Sequence, residues 1–102
     1  MSFTVLFMAH ASDADPEKHR SEINTGQYRL ISVVVRDQAE AVDAALHLAA
    51  SEDIDTVLLC PGFTHANVAE IQRELGGAVG VAVARGDGPS NKLSAKARAR
   101  EG

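Results

Sequence analysis

The stretch Thr56-Val57-Leu58-Leu59-Cys60-Pro61-Gly62-Phe63-Thr64-His65 decides how this chain folds. Its first five residues are β-branched, aliphatic and apolar, and Pro61-Gly62 ends the run, so they read as an interior strand feeding a tight turn. Thr64 then serves as a helix N-cap, with Phe63 before it and Val68 four residues after it placed as a hydrophobic staple. A helix therefore starts at His65. Its unpaired amides and positive dipole end face whatever Cys60 and His65 face, which favours an anionic group or a thiolate.

Outward from this stretch, four apolar runs alternate with three helical patterns. Strands are expected at about 3–9, 28–35, 56–60 and 79–84. This βαβαβαβ rhythm predicts an α/β fold: a single three-layer domain with a four-stranded, mainly parallel sheet. Right-handed crossovers and short connections give the strand order 2-1-3-4. The first helix opens at Asp15-Pro16-Glu17, where Asp caps and Pro suits the first turn, and Gly26 closes it. Ile23 is its one large apolar residue. The second, about 38–50, turns Val42, Ala45, Leu46, Leu48 and Ala49 inward and Glu40, Asp43 and His47 outward. The third, about 65–75, buries Val68, Ile71 and Leu75 and stops at Gly76-Gly77. In the last strand Val79, Val81 and Val83 alternate with Gly80, Ala82 and Ala84, one face bulky and the other thin enough for close approach of another element. The domain spans 1–88, and 89–102 form a basic C-terminal tail, disordered or docking on a partner subunit.

The chain has 102 residues, the size of one ordinary domain. Its 45% hydrophobic and 24% charged composition is that of a globular protein, and no apolar stretch approaches the roughly 20 residues of a membrane span. The N-terminus lacks the positive region of a signal peptide, and a single cysteine forbids an internal disulfide, so a cytoplasmic protein is expected. Residues 1–91 carry 6 basic and 13 acidic side chains, whereas Lys92, Lys96, Arg98 and Arg100 outweigh Glu101 in the tail. An acidic body argues against nucleic acid as a partner, because phosphate neutralisation needs a basic face.

In an open parallel sheet, ligands bind beyond the carboxyl ends of the strands where strand order reverses, here between the first and third expected strands. Those ends deliver His10-Ala11-Ser12-Asp13 and the Cys60–His65 stretch side by side, with Arg36 and Asp37 on one flank and Arg85-Gly86-Asp87-Gly88 on the other. His10 and His65 are candidates for proton transfer or polarisation, and Cys60 for a nucleophile, against their roles as caps and as a small buried hydrophobe. Thr64, Arg36, Arg85 and Asp87 are candidate ligand-binding residues, the two arginines suited to clamping a carboxylate or phosphate. Zinc or copper is chemically compatible with His10, Cys60 and His65, but their spacing is no recognised metal motif, and no cofactor is predicted. Phosphate-cradle, dinucleotide and nucleophile-elbow signatures are absent from the sequence.

Three segments, Asp15-Pro16-Glu17-Lys18-His19-Arg20, Cys60-Pro61-Gly62-Phe63-Thr64-His65 and Arg85-Gly86-Asp87-Gly88, together resemble a family of short prokaryotic α/β domains of unknown function. The likeness spans most of residues 3–88, and the tail beyond Gly88 looks unlike that family. The resemblance implies a compact α/β domain with a small-molecule site, and no particular activity.

These features predict a small-molecule enzyme or ligand-binding protein acting on an anionic or carbonyl-bearing metabolite at the C-terminal rim of the sheet. The rival expectation is a non-catalytic interaction or assembly module. In either case the exposed sheet edges and the thin Gly80, Ala82, Ala84 face predict a homo-oligomer, most simply a dimer.

Overall fold

The structure, a computed structural model, describes residues 2–101. Its elements are β1 (Phe3–His10), β2 (Arg20–Asn24), β3 (Tyr28–Val35), α1 (Gln38–Glu52), β4 (Thr56–Leu59), α2 (His65–Glu74), β5 (Gly80–Val83) and α3 (Gly88–Arg100). The sheet has five strands in the order β2-β3-β1-β4-β5. β1 pairs in parallel with β3 and β4, β4 pairs in parallel with β5, and β2 pairs antiparallel with β3. The four expected strands therefore stand in the expected order, but the sheet is mixed and five-stranded rather than four-stranded.

The expected first helix is the source of that difference. Asp15-Pro16-Glu17 makes only a turn, closed by the His19 amide donating to the Asp15 carbonyl at 2.7 Å and the Asp15 amide donating to His19 Nδ1 at 2.8 Å. The chain then runs as β2 beside β3, joined through Gly26 at φ 100°. A helix here would have had only Ile23 to bury, whereas a hairpin satisfies the backbone along the outer edge of β3. Gly26 supplies the positive φ of a hairpin turn rather than a helix cap. The Gly26 amide donates to Asn24 Oδ1 at 2.8 Å, and the Thr25 amide donates to the Tyr28 carbonyl at 2.9 Å.

Losing that helix changes the layering. α1 and α2 lie together on one face, where Ala41, Ala45, Leu48 and Ile71 close over Leu6, Met8, Ile31, Val33, Val35, Val57 and Leu59. Leu46, expected inward, is 39% exposed. The alternate residues of each strand point to the other face: Val5, Phe7 and Ala9 of β1, Leu30, Ser32 and Val34 of β3, Leu58 of β4, Ala82 of β5 and Ile23 of β2. Only Val5 among these is fully shielded, between its strand partners Leu30 and Thr56. Among the described residues no helix packs closely on this second face: α3 buries none of its residues and comes near the face only at Ala9. The domain thus has two layers instead of the expected three. Phe3 and Tyr28 meet edge-on at its margin with ring centroids 5.7 Å apart, 50% and 44% exposed.

The remaining ends follow the sequence closely. Asp37 caps α1 by accepting from the Glu40 amide. Gly76 and Gly77 follow α2 at φ 68° and 80°. On the helix-bearing face, Arg29 of β3 pairs with Glu22 of β2 at 2.8 Å and with Glu52 at the end of α1, tying the hairpin to the helix. The Arg29 guanidinium holds the Glu22 carboxyl below its ordinary range, and the two carboxylates raise the guanidinium in turn.

Candidate functional site

β1 and β4 end side by side and carry His10 and Cys60 to the same rim, as the strand order requires. Beyond β4 the turn is held by the Phe63 amide donating to the Cys60 carbonyl at 3.2 Å, and by Arg85 Nη1 donating to the Pro61 carbonyl at 3.0 Å. Phe63 is fully buried, and the His10 ring stacks obliquely on it at 4.6 Å between centroids. Gly62 lies between the two reactive groups. A β-carbon there would fall 2.7 Å from His10 Cε1 and 3.5 Å from Cys60 Sγ. The imidazole and thiol therefore flank the same glycine, and its missing side chain makes room for the ring.

Above this floor runs α3. Its Pro89 occupies the first turn after Asp87, and Gly86 packs against Asn91, where a β-carbon would sit 3.0 Å from the Asn91 Oδ1. Toward its other end Arg98 Nη2 donates to the His10 carbonyl at 3.3 Å. Between helix and rim is a cleft of about 510 Å³ lined by Ala9, His10, Cys60, Pro61, Gly62, Gly86, Asn91, Ser94, Ala95 and Arg98. An imidazole, a thiol, a carboxamide, a hydroxyl and a guanidinium thus border one partly apolar space. Arg98 also borders a smaller hollow of about 320 Å³ with Ser12, Asp13 and Glu101.

The other sequence candidates lie elsewhere. Thr64 caps α2, accepting from the Asn67 amide at 3.1 Å while its own amide donates to Asn67 Oδ1 at 3.0 Å, a reciprocal capping box. His65 is exposed at the start of α2 and does not line the cleft. Arg36 folds onto Glu40, with its Nε donating to Oε2 at 2.9 Å, and this pair pushes the carboxyl down and the guanidinium up. It borders a separate hollow with Asp15, Arg20, Asp43 and His47. Arg85 braces the Pro61 carbonyl from the edge of the site, and Asp87 precedes α3 without a side-chain capping bond. Of the seven candidates, only His10 and Cys60 meet in the cleft.

Asn91, Ser94 and Arg98 complete the cleft, and the expectation of a tail over 89–102 leaves them out. The signal lies in Asp87-Gly88-Pro89, the same local pattern that Asp15-Pro16 offers, but here followed by a run of Ala, Lys and Arg whose high helix propensity carries the helix on, whereas Asp15-Pro16 makes only a turn. No group of three or more His, Cys, Asp or Glu side chains suited to a metal ion occurs among the described residues. No helix among them is long and apolar enough to cross a membrane.

Residues 3–99 match the model of a family described as "Family of unknown function (DUF6506)", and the chain belongs to that family. The match runs through α3, which corrects the expectation that the chain departs from its family beyond Gly88. No curated protein and no solved structure matches the chain.

Proposed function

We propose that this member of the family binds a small anionic or carbonyl-bearing metabolite in the cleft between the β1 and β4 ends and α3, as a ligand-binding protein or a small-molecule enzyme. The observation that carries the reading is the convergence of His10, Cys60 and Arg98 on one space of about 510 Å³. That volume lies within the usual range for small-molecule sites, and a few polar groups on a partly apolar wall fix a ligand's orientation. Arg98, in place of Arg85, is the anion anchor, because its guanidinium has further donors beyond the one given to the His10 carbonyl. His10 donates a hydrogen bond to a carbonyl or carboxylate oxygen. Cys60 forms the wall beside the carbonyl carbon, where its sulfur can add as the C=O π bond opens, the thiol's own proton passing by way of His10 to the carbonyl oxygen. A cytoplasmic setting suits a protein that keeps its one cysteine free.

The test is amide and histidine NMR with three probes: acetate as anion alone, pyruvate as carbonyl acid and inorganic phosphate. Binding of one of them should move the resonances of Gly62, Asn91, Ser94 and His10 together. Arg98→Ala should weaken that binding by about tenfold, the worth of one charge-assisted hydrogen bond. Shifts scattered over the surface, or none at millimolar probe, would remove the basis for the reading.

A further inference from the structure

We infer that the sheet face opposite α1 and α2 is the interface of a two-fold symmetric homodimer, an assembly that stands independently of any ligand at the rim. The face follows from the topology. In a doubly wound sheet the connection leaving the first strand carries a helix onto this side. Here β2 replaces that helix, so Phe7, Leu30, Val34 and Leu58 in the centre and Ile23 and Ala82 at the two edge strands have no layer above them. No charged side chain occupies a position on this face in any of the five strands, although the chain as a whole has a formal charge of −4.

These properties select a second copy as the occupant. An uncharged sheet face, apolar except for Ser21, Ser32, Thr56 and the Tyr28 hydroxyl, is largely its own complement. Under a two-fold axis each residue meets mainly apolar surface, and no ion loses its water. The acidic remainder of each copy stays at the outside, where repulsion is screened. The area is at the small end. Five strands about 4.8 Å apart and about six residues long on average present roughly 450 Å² per subunit, so a pair encloses roughly 900 Å², just under the 1,000 Å² or so that marks a specific interface. Two such sheets pack face to face about 10 Å apart with side chains interdigitating. The small Gly80 and Ala82 at one edge leave room for the larger Tyr28 and Ile23 near the other edge of the partner sheet. The thin side of the last strand thus belongs to a broad interface rather than forming one alone.

The experiment is sedimentation equilibrium and light scattering on the full chain up to about 0.1 mM, a range that reports any dissociation constant at micromolar or below. The expected species is a dimer with twice the 10.8 kDa chain mass. Phe7→Lys, which places a charge at the centre, should raise the dissociation constant at least about 100-fold. Ile23→Glu and Tyr28→Glu should weaken the dimer as well. Their positions are 62% and 44% exposed within one subunit, so these variants keep the fold even if Phe7→Lys does not, as circular dichroism will show. A wild-type chain that remains monomeric throughout overturns the inference. So does a trimer or open-ended assembly, or a dimer that both glutamate variants leave at wild-type strength.

Discussion

Gly62→Ala tests whether the candidate site is packed as tightly around its glycine as the geometry indicates. The added methyl would lie 2.7 Å from His10 Cε1 and 3.2 Å from Nε2, so the ring must give by roughly an ångström to restore ordinary carbon contacts. That ring is backed by Phe63, which is itself fully buried, and overpacking of this kind costs about 1–3 kcal/mol. Gly62 is not among the positive-φ glycines, so alanine brings no backbone strain and instead stabilises by about 0.4–1 kcal/mol through the unfolded chain. The net expectation in the wild type is a loss of about 1 kcal/mol, or a fall in melting temperature of about 4–8 °C. In a His10→Ala background the obstruction is gone, and the same substitution should become stabilising. Urea denaturation of the four proteins of this double-mutant cycle reads the change of sign directly. Equal costs of Gly62→Ala in both backgrounds, with an unmoved His10 Cε1 resonance, would refute the arrangement.

Thr64→Ala removes the side-chain acceptor of the capping box at α2 and should cost about 1 kcal/mol in urea denaturation, with α2 amides losing most hydrogen-exchange protection. Unchanged stability would mean that Asn67 alone secures that end. Stability should also fall in acid for a reason specific to the pairs: Glu22 and Glu40 are held below the ordinary 4.5 by Arg29 and Arg36. A depressed carboxyl stabilises the fold above its unfolded value and loses that contribution as pH falls through its folded value. The loss therefore develops below pH 4.5, and it should be modest because both pairs are solvent-facing. Arg29→Ala should flatten part of this slope, and an unaltered slope would disprove the assignment to Glu22.

The parts of the fold that could be read from sequence are those in which local signals and tertiary demands agree. The Thr56–Leu59 run, the Thr64 cap and the Gly76-Gly77 stop each admit one interpretation, and each stands as read. Asp15-Pro16-Glu17 opens a helix by local rules, yet whether the helix continues depends on what its residues can bury. Residues 20–24 find more in pairing with β3 than in coiling above a sheet. Gly26 suited both outcomes, since a helix stop and a hairpin turn both demand positive φ. The site divides along the same line. His10 and Cys60 are placed by strand ends, which periodicity locates. Arg98 reaches His10 across 88 positions of sequence, a meeting decided by the direction in which α3 leaves β5, and no local pattern carries that direction.

The central position of β1 has a consequence for the order in which the molecule is made. β1 leaves the ribosome before either of its neighbours and needs partners on both sides. One comes from β3, and the other is secured where the Thr4 amide meets the Asp55 carboxylate, 51 positions later. At the usual pace of synthesis that interval lasts roughly 3–10 s. In that time the β2–β3 hairpin closes within microseconds and can offer β1 one edge, producing a three-stranded nascent sheet. Its opposite edge, the apolar Val5–Met8 stretch, waits unpaired until β4 emerges. The growing chain therefore carries its most exposed apolar edge while α1 is emerging, well before any rim site exists.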